Sequence, residues 1–134
     1  MAQFYFDEST FPTSPAFVAS VRAGLRDPHD LLEELAEQLR FPDYFGANWN
    51  ALEECIRDLS WLPDGPVVLK HSDLPLAGDI ESQKTYLSIL SDAVEKKWTV
   101  QGQRLRDLIV KFPPETREQI DWLASMNKRA EARE

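Results

Sequence analysis

The chain has 134 residues, with 23 acids against 15 bases and a formal net charge of −8. That length fits one domain with a core of its own, and the acidic balance argues against nonspecific binding along a nucleic-acid backbone. A single cysteine, Cys55, excludes an internal disulfide and every cysteine-based metal cluster.

Taken in chain order, Gln3 to Asp7 reads as a short strand, with Phe4 and Phe6 on one side and Tyr5 on the other. Glu8 to Pro15, with two prolines and several hydroxyl residues, reads as a loop. Ala16 to Arg22 sets Phe17, Ala19 and Val21 against Val18, Ser20 and Arg22, which suits a strand that Gly24 ends. Asp27-Pro28-His29-Asp30 is a helix start: Asp27 caps, Pro28 takes the first helical position, and Asp30 favours the amino-terminal dipole. Leu31, Leu32, Leu35 and Leu39 then line one side of a helix that stops before Pro42.

A second helix runs from Asn48 to about Ser60. Trp49, Leu52, Cys55, Ile56 and Leu59 form its core-facing side, and Asn50, Glu53, Glu54, Arg57 and Asp58 its opposite side. Trp61 to Pro66 is a turn, and Val67-Val68-Leu69 has the apolar run of a buried strand. After a loop from Asp73 to Gly78, a long helix spans about Asp79 to Lys97, with Tyr86, Leu87, Leu90, Ala93, Val94 and Trp98 on its buried side. Leu108-Ile109-Val110 is the last strand, stopped by Pro113-Pro114. Pro114 opens a final helix to about Ala130, on which Ile120, Leu123 and Met126 are apolar. Its charged end, Asn127 to Glu134, is expected to fray. Strands separated by helices predict crossover units and a small parallel sheet, an α/β fold.

The most informative stretch is the gapless block from Phe41 to Ile56. It is an aromatic-flanked turn that opens directly into an amphipathic helix. Within it, Pro42, Tyr44, Gly46, Asn48, Ala51, Leu52, Cys55 and Ile56 stand in the pattern Pro-x-Tyr-aromatic-Gly-x-Asn-x-(acid or amide)-Ala-Leu-x-(acid)-Cys. This block resembles the barstar family of ribonuclease inhibitors. The likeness is dense over residues 41–56 and looser from about 16 to 112. It implies three parallel strands with packed helices, here one barstar-like domain over 1–134. Residues 1–15 are then an amino-terminal extension and 113–134 a helical one; one would follow a sheet edge and the other cover apolar surface.

The resemblance also implies a partner and a site. In the family, this loop and helix insert carboxylates into a ribonuclease active site, whose cations otherwise hold phosphate. The leading carboxylate falls on the residue before the motif cysteine, Glu54. A second falls four residues earlier, where this chain has Asn50. Tyr44 and Phe45 flank the contact, Gly46 lets the loop approach closely, and Asp92 aligns with a further acid of the inhibitory surface. Two residues depart from the better-known members. Glu54 is one methylene longer than the usual Asp, and Asn50 exchanges a charge for an amide. The expected partner is a basic, extracellular-type ribonuclease or a related toxin, with no nucleic acid, membrane or cofactor involved.

Purely structural readings stand beside these. Asn48 caps its helix, Gly46 supplies a positive backbone dihedral, Trp49 is core, and Cys55 is a small buried hydrophobe rather than a nucleophile. Asn50 and Glu54 would then be a solvated face.

An enzyme has little to work with. No Gly-rich phosphate loop, no His/Asp/Glu cluster with metal spacing and no Gly-x-Ser-x-Gly elbow is present. His29 reads as a surface residue. His71 at a strand end, paired with a carboxylate such as Glu54, is the one acid–base arrangement on offer. No basic start precedes a long apolar run, and no stretch approaches ~18 apolar residues, so a cytoplasmic location is expected.

Overall fold

In chain order the elements are β1 (Phe17–Val21), α1 (Pro28–Gln38), α2 (Trp49–Asp58), β2 (Val67–His71), α3 (Ile80–Glu95), β3 (Thr99–Val100), β4 (Gln103–Arg104), β5 (Leu108–Lys111) and α4 (Arg117–Ala132). The computed structural model describes residues 4–6, 17–42, 46–63, 65–95, 99–100, 103–104 and 108–132. β1, β2 and β5 form a three-stranded parallel sheet in the order β1-β2-β5. α1 and α2 lie between the first two strands in sequence, and α3 with the β3–β4 hairpin between the second pair. The α/β architecture expected from the alternation is the one observed.

Alternation along each strand fixes the core face. Ala19, Leu69 and Val110 stand in register across the sheet, and all three are buried. Val18 and Ser20 point the other way and are exposed. The central strand β2 is buried at four of its five positions, so it reads as a continuous apolar run rather than an alternating one. It extends to His71, two residues past the apolar triplet.

The Asp27 carboxylate accepts from the His29 N–H at 2.8 Å, with Pro28 in the first turn. Leu31, Leu32, Leu35 and Leu39 are buried as the spacing requires. Glu34 is buried among them, which the apolar pattern did not foretell. Its carboxylate accepts from the Arg22 N–H at 3.2 Å and the Arg22 guanidinium at 3.1 Å, so the charge is not stranded.

α3 starts where Asp79 accepts from the Ser82 N–H at 3.1 Å, and it packs against α2, α4 and β5. It is described from Ile80 to Glu95; Lys96, Lys97 and Trp98 lie outside the described residues. The antiparallel β3–β4 pair was not anticipated, because two-residue strands are too short to show a period. Pro114–Thr116 forms a 3-10 turn before α4, whose Ile120 and Leu123 are buried.

In the described part of the expected amino-terminal strand, residues 4–6, Tyr5 forms a parallel bridge with Lys111. The Tyr5 N–H donates to the Val110 carbonyl at 2.8 Å, and the Phe112 N–H to the Tyr5 carbonyl at 3.0 Å. The segment therefore follows the β5 edge, with the Phe4 and Phe6 rings 5.4 and 6.5 Å from Phe112. Gln3 and Asp7 lie outside the described residues. Among those residues, no helix is long and apolar enough to cross a membrane.

Candidate functional site

The site helix α2 is anchored at both ends. Before it, Phe41 packs edge-on against Trp61 at 5.9 Å, and the Trp61 indole N–H donates to the Leu39 carbonyl at 2.8 Å. At its start, Asn48 is extended (φ −138°) and its side-chain oxygen accepts from the Ala51 N–H at 2.8 Å. At its end, Leu59 is left-handed (φ 51°) and its N–H donates to the Cys55 carbonyl, so the helix closes at Asp58 rather than Ser60.

Gly46 does not carry the positive dihedral offered for it from the sequence; Ala47 does, at φ 52°. A Cβ at Gly46 would stand 3.2 Å from the Asn48 side-chain nitrogen and crowd the capping residue. The Asn48 side-chain N–H also lies 3.5 Å from the Gly46 carbonyl.

Leu52, Cys55, Ile56 and Leu59 are buried, and Trp49 is half-buried with its ring 6.4 Å from Tyr86 of α3. That stripe turns the other side of α2 outward. Asn50 and Glu54, four residues apart, are both exposed. The neighbouring Glu53 is tied to Arg57 at 3.6 Å. Among the described residues, Glu54 has no ion pair or side-chain hydrogen bond. The Cys55 thiol is buried, and burial, then the charges of Asp58 and Glu54, raise its pKa above the ordinary thiol value. It is therefore a poor nucleophile.

Asp92 is half-buried toward the end of α3. Among the described residues, no hydrogen bond or ion pair joins it to Asn50 or Glu54. Tyr44 and Phe45 lie outside the described residues.

His71 is not the strand-end ligand or catalytic base considered from the sequence. It is buried, and both ring nitrogens are engaged: one faces the Lys111 carbonyl at 2.9 Å, the other the Tyr86 hydroxyl at 2.6 Å. A carbonyl only accepts, so Nδ1 carries the proton and Nε2 accepts from Tyr86. The ring also stacks on Phe112 at 4.0 Å. Burial lowers its pKa to about 4, against the smaller opposing pull of the Lys111 carbonyl. Burial likewise raises the Tyr86 pKa. The pair is a structural pin between α3, β2 and β5.

One grouping escaped the sequence reading. His29, Asp30 and Glu33 bring one ligand atom each within 4.8 Å of one another on the exposed first turns of α1. Metal spacing, which the sequence did not reveal, is therefore present at these three exposed residues. His29 Nε2 lies 3.6 Å from Glu33, an ordinary surface pair.

The fold defines a class: a three-stranded parallel sheet with packed helices, and a capped, amphipathic second helix whose polar face is open. A family model described as Barstar (barnase inhibitor) matches residues 16–112. The chain belongs to the barstar family. No curated protein matches it.

Proposed function

We propose that this protein binds and inhibits a basic ribonuclease, with the outer face of α2 and the loop before it as the contact surface. The observation that carries this reading is the state of Glu54. It is exposed on a capped, rigid helix, and its charge is unspent among the described residues, whereas Glu53 beside it is paired. A cleft built to hold phosphate offers cations to such a group. Asn50 adds an acceptor and a donor one turn earlier. By the family likeness, Tyr44 and Phe45 would flank the contact, Gly46 and Asn48 would set the approach of the loop, and Asp92 would add an outlying acid. Catalysis is no part of this reading, since His71 has neither a free nitrogen nor a carboxylate beside it among the described residues.

A second reading keeps the surface and changes the target. Glu54 in place of a shorter acid and Asn50 in place of a charged one suit an immunity or interaction module for a different toxin. One experiment separates the two. The chain is captured with its native partner, the partner is released, and its RNA-degrading activity is measured before and after adding the chain back. Activity that returns on release and falls on re-addition supports ribonuclease inhibition. A partner without RNA-degrading activity moves the assignment to the second reading.

A further inference from the structure

β1 is an edge strand of the sheet, and its outer side is open. The Phe17 N–H donates to the Pro66 carbonyl, and the Val21 carbonyl accepts from the Ser72 N–H. Phe17, Ala19 and Val21 therefore turn their backbone groups toward β2, and alternation sends those of Val18 and Ser20 the other way. Both residues are exposed, and among the described residues neither has a partner on that side. The next outward group, the Arg22 N–H, is already taken by the Glu34 carboxylate at 3.2 Å. The open stretch is thus Val18 and Ser20, each with one donor and one acceptor. Edges of this kind are ordinarily blunted by a charge, a proline or a bulge. β1, Phe-Val-Ala-Ser-Val, has no charge and no proline, and it pairs with β2 residue for residue from Phe17 to Val21.

We propose that β1 pairs antiparallel with β1 of a second copy of this chain, about a two-fold axis through Ala19. In that register Val18 stands opposite the second copy's Ser20, and Ser20 opposite its Val18. Each pair exchanges both of its hydrogen bonds, so every open group of the two strands is satisfied. A register shifted so that Val18 faces Arg22 would meet an N–H already committed to Glu34. The contact is self-complementary, which a closed two-fold interface requires. The strand ends also match in charge. Arg40 lies over the Phe17 ring at one end, 5.2 Å from its centroid, and the Glu34 carboxylate lies at the other. Antiparallel pairing sets Phe17 opposite the second copy's Val21, so each Arg40 approaches the other copy's Glu34. The strands themselves are uncharged, so the net charge of −8 meets no like charge between them. A contact built on one short edge is at the small end of specific interfaces, so the dimer is weak and concentration-dependent. No residue of α2 takes part, and the surface is independent of the ribonuclease reading.

The test follows the full chain by sedimentation velocity over a wide concentration range at physiological salt, with amide hydrogen exchange at both ends of that range. The expected result is a monomer–dimer equilibrium in which protection of the Val18 and Ser20 amides rises with concentration far more than that of Ala19, which is already in the ladder with β2. Ser20→Pro removes an outward donor from each copy, half of the new bonds. It should raise the dissociation constant by about tenfold or more with the fold intact by circular dichroism. Val18→Lys should weaken the dimer, and adding Ser20→Glu should restore it, because the two new side chains face each other across the axis. A chain that stays monomeric throughout overturns the proposal, as does a dimer indifferent to Ser20→Pro and Val18→Lys. Val18 and Ser20 amides equally protected at every concentration overturn it too, since the edge is then covered within one copy. A dimer weakened by Val18→Lys and not restored by Ser20→Glu overturns the register.

Discussion

The His71 pin makes a pH-dependent contribution to stability whose size follows from its surroundings. The folded-state pKa is about 4, against an ordinary value of 6.5. The unfolded chain therefore binds the extra proton first, and stability contributed by neutral His71 is complete above about pH 6.5 and lost as pH falls toward about 4. Integrating the linkage gives a loss of about 2 kcal/mol by pH 5 and about 3 kcal/mol by pH 4. Carboxylates also begin to titrate in this range, so a reference variant is needed. His71→Gln keeps a donor and an acceptor but has no titrating group. Urea unfolding of both proteins at pH 7 and pH 5 isolates the contribution. The wild type should lose about 2 kcal/mol more than the variant over that interval. A difference under about 0.5 kcal/mol would refute the reasoning, because a histidine held neutral by burial cannot titrate without cost.

Other consequences are local to α2. Asn48→Ala removes the cap on the Ala51 N–H and should cost about 1 kcal/mol in chemical denaturation, whereas Asn48→Asp should cost less. Native Cys55 should react with a thiol reagent at pH 8 far more slowly than the urea-unfolded chain, since burial and two nearby carboxylates suppress its thiolate. A native rate equal to the unfolded one would place the thiol outside the core. Asn50→Asp adds a second carboxylate to the exposed face and should speed association with a basic ribonuclease at low salt, an effect that fades as ionic strength rises.

Much of this was legible in the sequence because several local signals agreed. Asp27-Pro28 marked α1 and Asn48 marked α2 through chemistry that acts within four residues, and both caps form as read. The leucine spacing of α1 and the apolar stripe of α2 set their buried sides. What escaped depends on distant groups. The burial of Glu34 follows from Arg22, twelve residues away, folding back over it. The engagement of His71 follows from Tyr86 and Lys111, which only the packed sheet brings together. The positive dihedral read for Gly46 falls on its neighbour Ala47, a choice between adjacent loop residues that composition alone does not make. Of the amino-terminal strand only residues 4–6 are described, and there Tyr5 bridges Lys111 while Phe4 and Phe6 pack on Phe112, contacts that depend on the distant β5.

The central claim is that the exposed carboxylate of Glu54 is the working group of this protein. Calorimetric titration of the wild type and Glu54→Gln with a barnase-type ribonuclease, at low and at physiological salt, tests it most directly. The account predicts salt-sensitive binding by the wild type and a loss of about 2–5 kcal/mol in the variant, the general range for truncating one partner of a buried charge pair, complexes of this family included. Equal binding by the two proteins would contradict it.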